Sequence, residues 1–102
     1  MEKTPNLKQS ETSFKEKVLA DLKTLRNCWC LKTMERGRHG TPDLLICLDG
    51  KFVAIELKKE GGRVMKIQEL TLEKIMAAGG ISFVASPSTW VQQFKLLQIR
   101  VL

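Results

Sequence analysis

Asp49-Gly50 lies between two apolar runs, Leu44-Leu45-Ile46-Cys47-Leu48 and Phe52-Val53-Ala54-Ile55-Glu56-Leu57, and constrains this chain more than any other dipeptide in it. A type I′ turn needs positive φ at both central residues, and Asp-Gly between partly β-branched runs is the strongest short-range hairpin signal. With Asp49 and Gly50 at the centre, Leu48 faces Lys51 and Cys47 faces Phe52. The same ladder, continued, sets Asp43 opposite Glu56 on one face of the sheet. Directly opposed side chains have Cβ atoms about 4.5–5.5 Å apart. Two carboxylates at that spacing repel by about 3 kcal/mol at an effective dielectric of about 20. A divalent cation is the natural group to offset that repulsion. Lys58 follows Glu56 by two residues, so it shares the face about 6.6 Å further along.

The 102 residues make one domain, 1–102, long enough for a core but too short for two. A hydrophobic share of 43% with 27% charged residues places the chain among soluble globular proteins. No run approaches the roughly 18–20 apolar residues of a membrane span. The N-terminus, Met1-Glu2-Lys3-Thr4-Pro5, lacks the apolar stretch of a signal peptide, so a cytoplasmic location is expected. Cys28, Cys30 and Cys47 are an odd set, and His39 is the only histidine. Structural zinc normally takes four ligands, so reduced, packed thiols are expected, with Cys47 in a buried strand. The net charge of +6 favours an anionic partner. Arg36, Arg38 and His39 precede Asp43; Lys58, Lys59, Arg63 and Lys66 follow Glu56. Carboxylates flanked by basic segments suit a scheme in which cations hold phosphates, although a solvated basic surface explains the charge equally well.

Residues 1–9 are polar, contain Pro5 and are expected to fray. Ser10 is a plausible N-cap for a helix to about Arg26, with Phe14, Val18, Leu22 and Leu25 at helical spacing and Asn27 suited to its C-terminus. Residues 29–34 alternate as a first strand and 35–42 form a loop. The hairpin occupies 43–48 and 52–58. A second helix spans about 65–78, ending at Gly79-Gly80, and Ile81 to Ala85 is a short strand. Ser86-Pro87 opens a last helix to about Leu97. The order is αβββαβα, an α/β arrangement.

Glu11 lies three residues before Phe14 and seven before Val18, on the stripe facing the core, where a first-turn carboxylate is electrostatically favoured. A carboxylate pointing to water is the plainer reading. Gln68 shares a stripe with Met65, Leu72 and Ile75, where a core glutamine satisfied by backbone is the common case.

Taken together, Glu11, Gly40-x-Pro42-Asp43, Glu56-x-Lys58 within Val53-Ala54-Ile55-Glu56-Leu57-Lys58-Lys59, Gly61-Gly62-Arg63 and Gln68 closely resemble the virus-type replication-repair nuclease (VRR-NUC) family. That family belongs to the PD-(D/E)xK nucleases, and the similarity covers about residues 11–86. The resemblance implies an α/β fold with a restriction-endonuclease-like αβββαβ core, a mixed sheet flanked by helices, and an extra C-terminal helix. It implies that Asp43, Glu56 and the backbone carbonyl of Leu57 ligate Mg²⁺ or Mn²⁺, with Glu11 holding metal-bound water or a second ion. Lys58 would position the attacking water or stabilise the phosphate, and Gln68 would orient Lys58 or the water. Lys58 beside two acids should stay protonated, which suits electrostatic stabilisation better than base catalysis. A plain Lys58–Glu56 salt bridge is the structural alternative.

The implied activity is a metal-dependent DNA endonuclease. As a stand-alone chain it resembles the small phage or bacterial members, homodimeric resolvases of four-way junctions. A nuclease for flaps, nicks or plain duplex is the competing enzyme reading, and a DNA-binding module with a decayed site the competing non-enzyme one. Val91, Phe94, Leu97, Ile99 and Val101 supply either a dimer surface or core packing.

Overall fold

The computed structural model describes residues 7–33 and 40–100, with side chains for 12–33 and 40–99. The hairpin forms in the expected register: Leu48 pairs with Lys51, Cys47 with Phe52 and Leu44 with Ile55. Asp49 and Gly50 have φ of 52° and 84°, as a type I′ turn requires. The elements are α1 (Leu7–Lys23), β1 (Cys28–Lys32), β2 (Leu44–Leu48), β3 (Lys51–Leu57), α2 (Lys66–Ala77), β4 (Ile81–Ala85) and α3 (Pro87–Arg100). This is the expected αβββαβα order.

The four strands lie in the order β1-β2-β3-β4. β1, β2 and β3 are antiparallel neighbours, whereas β4 runs parallel to β3, so the sheet is mixed. A parallel pair needs a crossover, and α2 supplies it. Register places Leu44, Ile46, Val53, Ile55, Ile81 and Ala85 on one face. That face is buried with Phe14, Val18 and Leu22 of α1 and Trp90 and Leu97 of α3. α2 covers the opposite face over β3 and β4, where the Ser82 hydroxyl donates to the Leu72 carbonyl at 2.7 Å. The Trp90 indole N–H donates to Asp21 Oδ2 at 2.7 Å, tying α3 to α1 and satisfying the one polar atom of a buried ring.

Several boundaries differ from the sequence expectation. α1 spans Leu7–Lys23 rather than 10–26. Leu7-Lys8-Gln9 are good helix formers, so Ser10 lies inside the helix, and Glu11, its fifth residue, lies beyond the first turn. The helix stops early because Thr24–Asn27 form a turn, with Asn27 at φ 54° and Thr24 Oγ1 donating to the Asp21 carbonyl. β1 starts at Cys28, which pairs with Leu48, and ends at Lys32. α3 continues to Arg100 because Leu96 to Arg100 contains no helix breaker. Cys47 is exposed, contrary to expectation, since alternation turns it away from the face of Ile46 and Leu48. The C-terminal apolar set is partly buried and partly exposed. Leu97 is buried and Phe94 stacks on Trp90 with centroids 5.2 Å apart, whereas Val91 and Ile99 are exposed. Val101, like 1–6 and Met34, lies outside the described residues. None of the described helices is long and apolar enough to cross a membrane.

Candidate active site

Asp43 sits immediately before β2, one step beyond the Leu44–Ile55 pair, so the register sets it across from Glu56. Its carbonyl accepts from the Thr33 N–H at 2.9 Å and the Thr33 hydroxyl at 3.2 Å, which extends the β1 pairing past Lys32. The same hydroxyl reaches the Pro42 carbonyl at 2.7 Å. Held in this way, Asp43 turns Oδ2 onto the Leu57 N–H at 2.8 Å. Gly40 explains how the preceding segment gets there. Its φ is +85°, and a Cβ would stand 2.9 Å from both Cγ1 and the carbonyl oxygen of Ile67. Only glycine lets the chain pass that close to α2.

Glu56 is 3% exposed. Its Oε2 accepts from Gln68 Nε2 at 2.8 Å and pairs with Lys58 Nζ at 3.4 Å. Its Oε1 is buried with no hydrogen-bond partner. Burial first, and then the negative charge of Asp43, push the Glu56 carboxyl up from 4.5 to about 7, against the opposing pull of Lys58. A cation at this point would favour the ionised carboxylates and so oppose that shift. The donors present are the Asp43 and Glu56 carboxylates and the Leu57 carbonyl. In a strand that carbonyl points to the same side as its N–H, which is turned toward Asp43. These hard oxygens fit Mg²⁺ or Mn²⁺ and not a thiophilic metal. Among the described residues no group of three His, Cys, Asp or Glu side chains gathers at one point.

A cleft of about 580 Å³ opens beside Asp43. α1 contributes Thr12 and Lys15, the end of β3 leads to Lys58 and Lys59, and the loop toward α2 adds Arg63. Four cations therefore surround one lining carboxylate, with Glu56 behind it.

The structure brings Asp43, Glu56, Lys58 and Gln68 together and sets Lys59 and Arg63 in the same cleft. The Lys58–Glu56 ion pair named as the structural alternative is present. Gln68 has both a backbone and a site partner: its Oε1 accepts from the Met65 N–H at 2.8 Å, the backbone satisfaction foreseen for a core glutamine, and its Nε2 donates to Glu56 Oε2, the oxygen that also pairs with Lys58. Lys66 is exposed at the start of α2 and does not line the cleft. Glu11 lies in α1 one residue before Thr12, and its side chain is outside the described residues, as are Arg36, Arg38 and His39 altogether. Lys15 was not singled out from sequence. The signal was its spacing: it stands four residues after Glu11, on the same flank of the helix. Comparison with protein-family models, with curated proteins and with solved structures finds no match.

Proposed function

We propose that this chain is a Mg²⁺- or Mn²⁺-dependent DNA endonuclease of the VRR-NUC type, acting in the cytoplasm as a homodimer on branched DNA. One observation carries the reading: the half-buried Asp43 carboxylate stands opposite the buried Glu56 carboxyl, whose proton affinity burial and Asp43 raise despite Lys58, beside a cleft lined by four cations. The finer fold reading belongs with it, since α1, β1–β3, α2 and β4 follow the αβββαβ order of the restriction-endonuclease-like core.

Asp43, Glu56 and the Leu57 carbonyl would hold the metal ion, whose chemistry when bound is to acidify a water and neutralise charge developing on phosphate. Lys58 reaches the cleft while paired to Glu56, so its ammonium is placed for a phosphate oxygen and serves as an electrostatic aid. Lys15, Lys59 and Arg63 would bind flanking phosphates, a contribution blind to sequence. A four-way junction needs two opposed cuts, and a two-fold dimer of one-site chains would supply them. The Lys58–Glu56 pair also favours a second reading, a module that holds DNA without cutting it.

A panel of labelled four-way, flap and linear DNAs, incubated with Mg²⁺, Mn²⁺ or EDTA, separates the two readings. Metal-dependent cutting, fastest on the junction, is expected, and binding without cutting would leave the second reading. Sedimentation at micromolar concentration tests the dimer. The cleft cations give a further expectation. Lys15→Gln and Arg63→Gln should each weaken binding to all DNAs alike and reduce the salt slope by about one unit. An unchanged slope would return them to ordinary solvated surface.

A further inference from the structure

We propose that Gln68 is a positioning residue for the Glu56 carboxylate: by donating to Oε2 it leaves Oε1 as the one oxygen that Glu56 offers to a hard cation. The inference rests on the metal-dependent reading of the site and assigns Gln68 a task different from orienting Lys58 or a water.

The carboxamide is fixed at both ends. Its oxygen accepts from the Met65 N–H at 2.8 Å, at the start of α2, and its nitrogen donates to Glu56 Oε2 at 2.8 Å. Lys58 adds a second donor to the same oxygen at 3.4 Å. Both donors therefore converge on Oε2, while Oε1 is buried and has none. A buried acceptor without a partner is costly, so this orientation is not the one that suits an apolar fold best. It is the orientation that reserves an oxygen. Outer-shell groups that orient a ligating carboxylate typically change metal affinity 10–100-fold when removed.

The test is Mn²⁺ binding, read from the EPR signal of the free ion, for wild type, Gln68→Met and Ser82→Ala. Ser82→Ala deletes the bond from the Ser82 hydroxyl to the Leu72 carbonyl, which ties α2 to β4 and takes no part in holding Glu56. Gln68→Met should weaken the Mn²⁺ Kd about 10–100-fold. Ser82→Ala should lower the thermal midpoint and hold the wild-type Kd. If Gln68→Met binds as wild type does, or Ser82→Ala weakens binding equally, the positioning role is overturned and the nuclease reading stands. If the wild type binds no Mn²⁺, both fall. Should Gln68→Met fail to fold, the wild-type side-chain NH₂ resonances of Gln68 decide. They should shift during a Mg²⁺ titration in step with saturation, and resonances that stay fixed would overturn the inference.

Discussion

Glutamine at position 56 is expected to stabilise the metal-free protein at pH 8 while removing its capacity to cut DNA. The Glu56 carboxyl is raised from 4.5 to about 7 in the folded state. Below 4.5 both folded and unfolded chains hold the proton, and no difference arises. Between 4.5 and about 7 the unfolded chain has lost its proton and the folded chain keeps it, so wild-type stability falls as pH rises. Above that window the deficit is constant, at most about 3 kcal/mol. Glu56→Gln abolishes the titration and keeps an acceptor for Gln68, although Lys58 loses its counter-charge and takes part of the gain back. Urea unfolding in EDTA at pH 5 and pH 8 checks this. The variant should gain stability at pH 8, and most of the gain should vanish by pH 5. A variant less stable than wild type at pH 8 would show that burial and Asp43 do not strain this carboxylate. Gain of stability with loss of activity is the expected mark of a site shaped for a ligand.

Alanine at position 40 should be far more damaging than its size suggests. The residue has φ +85°, which costs an L-side chain about 1–2 kcal/mol. Its Cβ would also meet the Ile67 carbonyl oxygen at 2.9 Å and Thr71 Oγ1 at 3.0 Å, and the first is backbone that cannot rotate away. Forcing the segment off α2 adds an overpacking cost of about 1–3 kcal/mol. Gly79→Ala is the control, because Gly79 has φ +99° but nothing within 4 Å of a Cβ. Thermal unfolding should therefore show Gly40→Ala losing clearly more than Gly79→Ala. Displacing residues 40–42 also disturbs the Thr33 bonds that aim Asp43 at the Leu57 N–H, so Mn²⁺ affinity should fall in Gly40→Ala alone. Equal losses in the two variants would mean that the close approach to α2 carries no weight.

The hairpin shows why the centre of the site was legible. One Asp-Gly turn sets every pair of β2 and β3, and an alternation period of two then fixes which residues share Glu56's face. The order of elements followed from apolar periodicity and from glycine and proline breaks. What lay beyond reach depended on tertiary contacts. The start of α1 moved because Leu7-Lys8-Gln9 join the helix ahead of Ser10, with Leu7 as their one apolar residue. Cys47 looked buried in a continuous apolar run, yet α2 covers β3 and β4 and leaves it exposed. The partner of Gln68 depends on where α2 crosses the sheet, which no local pattern encodes. Lys15 joins the cleft only because α1 packs beside the end of β3.

The most direct measurement compares wild type with Glu56→Gln, purified in parallel, on labelled four-way and linear DNA in Mn²⁺ and in EDTA. Wild type should cut in Mn²⁺ and not in EDTA. Glu56→Gln should bind the DNA but leave it intact in both. Equal cutting by the two proteins in Mn²⁺, or no cutting of any DNA by the wild type, would contradict the assignment of Asp43 and Glu56 as the centre of a phosphodiester-cleaving site.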